Sequence, residues 1–289
     1  MKVAVIGADG QVGSDIVARA NSAGFDVLPL THDVCEVTDR ESVERCLAPL
    51  SRGDCVVNTA AFHRTDECEQ RSDRALEVNA IGAQHVAGAS QRRGASVVFI
   101  SSDYVFDGAK KTPYVESDAT GPINAYGVSK LAGEMLVRQT NPAHYVVRIA
   151  SVFGVRGLHG SGGNFVQTML EKAEQAKPIE VIDDVVMSPT YSADAAALLV
   201  SLLVARAPFG IYHLTNAGAC SWCEFANAIF ELAGVEARAK PTKFVHEPGK
   251  VRRPSNSALA SEQLGRLGLR QRPWRDGLTD YLAARALRR

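Results

Sequence analysis

The first half of the chain repeats one hydrophobic rhythm. Short β-branched runs at Lys2 to Ile6, Asp26 to Leu30, Asp54 to Ala60, Ser96 to Ser102 and His144 to Ala150 alternate with stretches whose apolar residues recur every three or four positions. Those stretches place helices that begin near Gly13, Glu41, Ser72 and Ala125. A run such as VVFI is apolar at every position, which is the pattern of a parallel strand covered on both faces. Strands and helices in this alternation predict repeated βαβ units and a doubly wound α/β sheet. After Gly154 the rhythm changes. The glycine-rich stretch VRGLHGSGGN is followed by a helix, a strand at Pro178 to Ile182, a helix at Ala193 to Ala205 and a strand at Ile211 to Asn216. From Ala217 onward the pattern is mainly helical, broken by the basic, proline-bearing loop HEPGKVRRPSNS.

Composition narrows the setting. With 289 residues, 46% of them hydrophobic and 22% charged, the chain is long enough to bury a sizeable core in one large or two smaller domains. Thirty-two Lys plus Arg balance thirty-two Asp plus Glu, so no overall field draws the protein to nucleic acid or to an anionic membrane. An anionic ligand must be held locally. The sequence opens directly into KVAVIG, without a basic and apolar leader, and no apolar run reaches the roughly 18 residues of a membrane span, so a cytoplasmic setting is expected. The six cysteines are scattered and read as buried or partly buried free thiols. Cys220 and Cys223 form a CxxC, but without a second pair or companion histidines the zinc or redox reading is weak.

The first strand runs straight into GADGQVG, with glycines at 7, 10 and 13, and then into a helix-period stretch. Gly7 supplies a tight turn, Gly10 a close approach of backbone to a pyrophosphate, and Gly13 close helix–strand packing, so that a helix N-terminus faces the anion. The spacing is GxxGxxG rather than GxGxxG, yet its place after strand one makes it a dinucleotide signal. An acid for the ribose 2′-hydroxyl of NAD is expected about 20 residues on. There Thr31 and His32 occupy the strand end, with Asp33 just after. This tilts the cofactor towards NADPH and leaves NADH open. The division that follows is a Rossmann region over 1–154, completed by about 188–216, and a mainly substrate-binding region over 155–289.

The chemistry concentrates in GPINAYGVSKLAGEML. On a helix at about 100° per residue, Val128, Leu131, Ala132, Met135 and Leu136 form an apolar stripe, and Tyr126 and Lys130 project from the opposite side. Spacing alone favours a solvated face that carries one tyrosine and one lysine. Read functionally, the ammonium lowers a phenol pKa that is about 10 when free, and the tyrosine exchanges a proton with a carbonyl or alcohol oxygen. Strand four ends in Ser101 and Ser102, at the carboxyl edge where open parallel sheets place ligands. A serine pair there also caps a turn, and for either one alone that reading is at least as good. The order of glycine loop, strand-end serine and Tyr-x-x-x-Lys shifts the balance towards a site.

Together with NTAA at 58–61, EVNA at 77–80, SSDYVFDG at 101–108 and NAYGVSKLAGE at 124–134, these motifs resemble the extended short-chain dehydrogenase/reductase superfamily. Within it the chain is most similar to the dTDP-4-dehydrorhamnose reductases, through HRTDECE, RIASVFG, GNFVQTML, SPTYSAD, GIYHLTNAG, SWCEFA and RRPSNSAL, which span nearly its whole length. The resemblance implies NADPH-dependent reduction of the C4 ketone of a nucleotide-linked sugar. Ser102, Tyr126 and Lys130 would be the catalytic triad. Gly7, Asp9, Gly10, Gln11, Val12, Gly13, Thr31, His32, Asn58, Ala60 and Ala61, with Tyr126 and Lys130, would hold the cofactor. Ser102, Asp103, Tyr104, Val105, Asn164 and Arg253 would meet the substrate. Nucleotide-sugar 4,6-dehydratases carry an Asp–Glu pair where this chain has Asp103 and Tyr104, which argues against that activity.

Two positions depart from the family pattern. Asp15 stands where these reductases often carry a glutamate linked to Mg2+ at a dimer contact, and Thr65 replaces a usual valine beside Asp66. Mg2+ and a homodimer are therefore left open. Asn256 and Ser257 read equally as sugar contacts and as solvated loop residues. Asp194 reads as a helix cap, Trp222 as core rather than a base-stacking platform, and His63 as structural. Two alternatives stand beside the sugar reductase: a non-catalytic NADP-binding subunit like the regulatory subunit of methionine adenosyltransferase, and a reductase of another nucleotide sugar.

Overall fold

The computed structural model describes residues 1–156, 163–175 and 178–287; part of the VRGLHGSGGN stretch, 157–162, lies outside them. The first half comprises β1 (Lys2–Ile6), α1 (Gln11–Ser22), β2 (Asp26–Leu30), α2 (Arg40–Cys46), β3 (Cys55–Asn58), α3 (Thr65–Gln70), α4 (Ser72–Leu76), α5 (Ala83–Arg92), β4 (Ser96–Ser102), α6 (Ala125–Thr140) and β5 (His144–Ile149). The second half adds β6 (Val152–Phe153), α7 (Phe165–Glu174), β7 (Ile179–Ile182), β8 (Val186–Met187), β9 (Thr190–Tyr191), α8 (Ser192–Val204), β10 (Gly210–His213), β11 (Cys220–Ser221), α9 (Trp222–Ala233), β12 (Ala239–Thr242), α10 (Glu262–Arg266) and α11 (Trp274–Ala286). Among the described residues, six parallel strands form the main sheet in the order β10-β5-β4-β3-β1-β2. The chain leaves β1 in one direction to β2 and returns in the other to β3, so the topological switch point lies between β1 and β3. Open sheets bind ligands outside the carboxyl ends of the strands at such a point.

The apolar runs follow from this architecture. Val3 and Val5 of β1 face a core with Ile16, Leu199 and Leu202 beneath α1 and α8, while Ala4 and Ile6 face a second core with Val86, Phe99 and Val137 beneath α5 and α6. Adjacent residues thus serve opposite layers, and no position is free to be polar. Strand β3 stops at Asn58, short of the expected Ala60, because Asn58 Oδ1 accepts the Ala60 N–H and Thr59 Oγ1 donates back to Ile6 O. A third core of Phe153, Met169, Ile179, Phe225, Ile229, Leu278 and Tyr281 holds the later helices together. No helix among the described residues is long and apolar enough to cross a membrane.

Helix α6 reverses the expected stripe. Val128 is 45% and Met135 62% exposed, whereas Lys130 and Glu134 are each 1% exposed on the buried face with Gly127, Gly133 and Val137. The reason is close approach: a Cβ at Gly127 would lie 2.1 Å from Tyr104 O, and one at Gly133 would lie 2.3 Å from Asn79 O. The helix beds on its glycines, and its buried charges find partners inside. Asp194 is also placed differently. Helix α8 begins at Ser192 without a side-chain cap, and Asp194 accepts instead from Asn216 Nδ2 at 2.7 Å and Arg272 Nη1 at 2.9 Å.

Candidate active site

The glycine loop closes on itself at the switch point. Gly7 adopts φ +77°, and its N–H and that of Ala8 both donate to Leu30 O, at 2.8 and 3.2 Å. A Cβ at Gly13 would stand 2.0 Å from Gly7 O, so helix and turn touch backbone to backbone. At Gly10 the nearest atom to an added Cβ is 3.2 Å away. Packing constrains that position less, which leaves its bareness to be explained by what approaches from outside. Gly10 is also the N-cap of α1: it offers no capping side chain, and the first turn holds no acid. The free N–H groups and the positive end of the helix are therefore presented to an anion. Gln11 lies beside them, 6% exposed, with an Oε1 that has no partner among the described residues.

At the end of β4 the two serines part. Ser101 Oγ points inward and donates to Glu134 Oε1 at 2.6 Å, while Ser102 turns to the cleft, donating to Asp103 Oδ1 at 2.8 Å and accepting from Tyr104 N at 3.2 Å. Tyr126 is hydrogen-bonded to the Ser102 side chain and stands edge-on to Tyr104, with ring centroids 6.0 Å apart. The start of α6 is pinned by Asn124, whose Oδ1 accepts the Gly127 N–H at 2.8 Å, and by Glu69 Oε1, which accepts the Ala125 N–H at 2.7 Å. One turn on, Lys130 Nζ sits 4.3 Å from the centre of the Phe99 ring. From the π-helical turn Glu77–Gly82, Asn79 accepts from the N–H of Phe62 and donates to its C=O, and donates also to Ser129 Oγ at 2.9 Å.

The electrostatics correct one expectation. Burial pushes the Tyr126 phenol above its ordinary value, and the Asp103 charge pushes the same way, opposed by the Ser102 hydrogen bond. Burial also pulls Lys130 down to about 7, against the opposing pull of Glu134. Desolvation disfavours the charged form of each and sets the direction of both shifts. Tyr126 is thereby held as a phenol, the form a proton donor needs. Asp103 is pushed up to about 6 by burial, and Tyr104 up to about 12 by burial against the nearby Arg253.

One cleft of about 1070 Å³ joins these parts. Gly7, Asp9, Gly10, Gln11, Val12, Gly13, His32, Ala60, Ala61, Ser102, Asp103, Tyr104, Tyr126, Lys130 and Arg253 all line it. Four expected contacts do not. Thr31 turns its carbonyl to the Val34 and Cys35 N–H groups, and Asn58 holds the end of β3. Val105 is buried with Phe106, Tyr114 and Leu259. Asn164 caps α7 through Gln167 N at 3.1 Å and donates to Gly154 O at 2.8 Å, a scaffolding role. Asn256 likewise braces Lys110 O and Thr112 O.

Several lining residues carry no strong signal in the sequence. His63 lines the cleft, and Trp222 does so while packing edge-on against Phe165 at 4.7 Å, so it serves core and cleft together. Arg74, on α4, belongs to no motif and pairs with Glu77 at 2.8 Å; only the fold brings it to the cleft. Ser151, with φ +43°, lines the cleft in a conformation that only a tightly determined site retains. The basic loop reaches the cleft at Arg253, held by Val251 N to Asp66 Oδ1 at 3.0 Å and Asn124 Nδ2 to Arg252 O at 2.9 Å. Asp15 accepts a hydrogen bond from Ser192 Oγ, and among the described residues no three His, Cys, Asp or Glu side chains gather as a metal ion requires.

The pattern of the family described as "RmlD substrate binding domain" matches residues 1–287. The chain is 40% identical to the spore coat polysaccharide biosynthesis protein SpsK of Bacillus subtilis, over 99% of this chain and 98% of that protein. It is 39% identical to a dTDP-4-dehydrorhamnose reductase of Mycolicibacterium smegmatis, over 98% of this chain and 85% of that one. In structure it is similar to a dTDP-4-dehydrorhamnose reductase of Bacillus anthracis solved in complex with NADP, with a TM-score of 0.90 and 33% identity, covering 98% of this chain and 99% of that one.

Proposed function

The chain belongs to the RmlD substrate-binding domain family, and from that premise we propose that it is an oxidoreductase that uses NADPH to reduce the C4 ketone of dTDP-4-dehydrorhamnose, giving dTDP-L-rhamnose. The observation that carries this reading is the meeting of Ser102, Tyr126 and Lys130 with the glycine cradle in one cleft. The backbone of Gly7 to Gly13, at the bare N-terminus of α1, fits a dinucleotide pyrophosphate, and a Cβ at Gly10 would stand in its way. NADPH, when bound, supplies the hydride. Tyr126, kept as a phenol by burial, gives its proton to the sugar O4. Ser102 orients the carbonyl beside it. Lys130 places a positive charge by the phenolate that results and reaches the ribose side of the cleft. Arg253 and Tyr104, hydrogen-bonded to each other under the basic loop, face the nucleotide diphosphate.

Residues 1–154 with 188–216 make up the cofactor half in this reading, and the remainder the substrate half; the setting is the cytoplasm. The experiment follows NADPH absorbance with dTDP-4-dehydrorhamnose. Wild type consumes NADPH in step with product, and Tyr126→Phe loses about 100-fold or more in kcat. No consumption by wild type, or full activity in Tyr126→Phe, overturns the assignment; consumption only with a UDP-, GDP- or CDP-linked keto sugar reassigns the substrate.

A further inference from the structure

The reduction as described leaves Asp103 without a task. Its side chain is 3% exposed and lines the cleft at the base of the Ser102 and Tyr126 pair. One carboxyl oxygen, Oδ1, is bonded to Ser102 Oγ at 2.8 Å, and the other, Oδ2, has no hydrogen-bond partner among the described residues. A carboxylate here would carry its charge on a buried group opposed only by the Ser102 and Ser257 hydroxyls and neighbouring backbone N–H groups, with no cation among the described residues bonded to it, whereas a neutral carboxylic acid would carry none. The surroundings do little to offset that charge. Ser102 faces it from β4, Tyr104 from the turn that follows, Tyr126 from α6, and Ser257 from the late loop. Arg253, from that same loop, is hydrogen-bonded to Tyr104, on which Asp66 also acts; Lys130 is engaged with Phe99, Cys68 and Glu134.

Hydrogen bonds therefore run without a break from the Tyr126 hydroxyl to Ser102 Oγ and on to Asp103 Oδ1. We propose that Asp103 is a neutral acid that reprotonates Tyr126 through the Ser102 hydroxyl after each reduction. This rests on the reductase reading above. As the Tyr126 O–H bond breaks, an O–H bond forms at the sugar O4 and a phenolate remains. The Ser102 hydroxyl, which donates to Asp103 Oδ1 at rest, turns to the phenolate, passes its proton to it and takes the carboxylic proton of Asp103 from that oxygen, so that Asp103 is left as a carboxylate. Water entering the cleft returns one proton to it. The net uptake is one proton per turnover, which is what hydride reduction of a ketone to an alcohol demands. Asp103 does not touch the reacting carbonyl; it acts through Ser102 and is a positioning residue of the proton path. Its titration, pushed by burial to about 6, lies where a neutral acid is populated close to working pH.

The proposal separates the first turnover from those that follow, because Tyr126 begins protonated. With the full chain, NADPH and dTDP-4-dehydrorhamnose, rapid mixing is expected to show Asp103→Asn completing its first turnover within about twofold of wild type, then running about tenfold slower in steady state. KM and NADPH affinity stay within about twofold of wild type. In wild type the steady-state rate falls as pH rises through about 6 while the first-turnover rate does not, and in Asp103→Asn the steady-state slope is gone. Equal losses in both phases, a loss confined to KM, or no loss at all overturns the relay and leaves Asp103 a substrate contact or a structural residue. If Asp103→Asn does not fold, the wild-type profile decides by itself: first and later turnovers that share one pH dependence refute the relay. A wild type that consumes no NADPH at any pH is a failure of the reductase reading instead.

Discussion

Arg148 on β5 and Glu134 on α6 are joined by two hydrogen bonds, from Nε to Oε1 at 2.9 Å and from Nη2 to Oε2 at 2.7 Å, with both side chains buried. The pair ties the central sheet to the helix that carries Tyr126 and Lys130. Phe106 covers the guanidinium at 5.0 Å, and His213 Nε2 lies 3.4 Å from Nη1. Burial pulls His213 down to about 4, so a neutral imidazole faces Arg148 and no second positive charge competes. Between β5 and α6 there is thus an ion pair buried away from solvent.

Removing one partner strands the other. Glu134→Leu leaves a buried guanidinium without its carboxylate, and the expected loss is about 3–5 kcal/mol in urea denaturation. Adding Arg148→Met to Glu134→Leu is expected to restore the part of that loss that comes from the stranded guanidinium, while buried Lys130 still lacks the carboxylate that Glu134 held against it. A single variant as stable as wild type would show that water reaches the pair.

The glycine loop offers a contrast between two neighbours. Gly13→Ala forces a Cβ to within 2.0 Å of Gly7 O, so both the fold and cofactor binding suffer, with a stability loss of about 2 kcal/mol or more. Gly10→Ala meets its nearest atom at 3.2 Å and is expected to unfold close to the wild-type temperature, yet to bind NADPH about tenfold more weakly. Thermal unfolding and NADPH fluorescence titration distinguish the two. Unchanged NADPH affinity in Gly10→Ala would remove the pyrophosphate from that loop.

Much of this was legible in the sequence because it is local. Runs such as KVAVI and VVFISS announce two-sided burial, and a turn that opens a helix with three spaced glycines requires no knowledge of distant residues. What was hidden depends on partners far along the chain. Lys130 and Glu134 read as a wet face because no local pattern reveals the glycines bedding on Tyr104 and Asn79, or Arg148 arriving from β5. The four-residue spacing to Lys130 predicts a lowered tyrosine pKa, and the pKa is raised instead because spacing does not reveal how deeply the ring is buried. Arg74 reaches the cleft only through the fold, and the sequence does not show that Asn164 spends its side chain on the α7 cap and on Gly154 O.

For Asn164 the expected phenotype is structural. Asn164→Ala deletes the α7 cap and leaves Gly154 O without its donor, a loss of about 1–3 kcal/mol. The KM for the nucleotide sugar is expected to stay within about twofold of wild type. An unchanged melting temperature with a KM raised about tenfold would return Asn164 to the substrate site.

Lys130 couples activity to instability. Its pKa is about 7 in the folded chain against 10.5 for the free side chain, so the folded state binds this proton less tightly than the unfolded state. Stability therefore falls as pH drops from about 10 towards 7, and the full penalty is present below about 7. Lys130→Met removes the buried amine. Without nucleotide, the variant is expected to be more stable than wild type at pH 6 by as much as about 4 kcal/mol, and the difference should shrink to roughly half by pH 9. Glu134, which opposes the downward pull, sets how large the effect is: in Glu134→Gln the lysine pKa drops further and the wild-type slope moves to lower pH. The same Lys130→Met change is expected to cost about 100-fold or more in kcat/KM. Denaturant melts at the two pH values, paired with turnover, test both halves; a variant no more stable than wild type at pH 6 would mean that the ammonium is well solvated in the cleft.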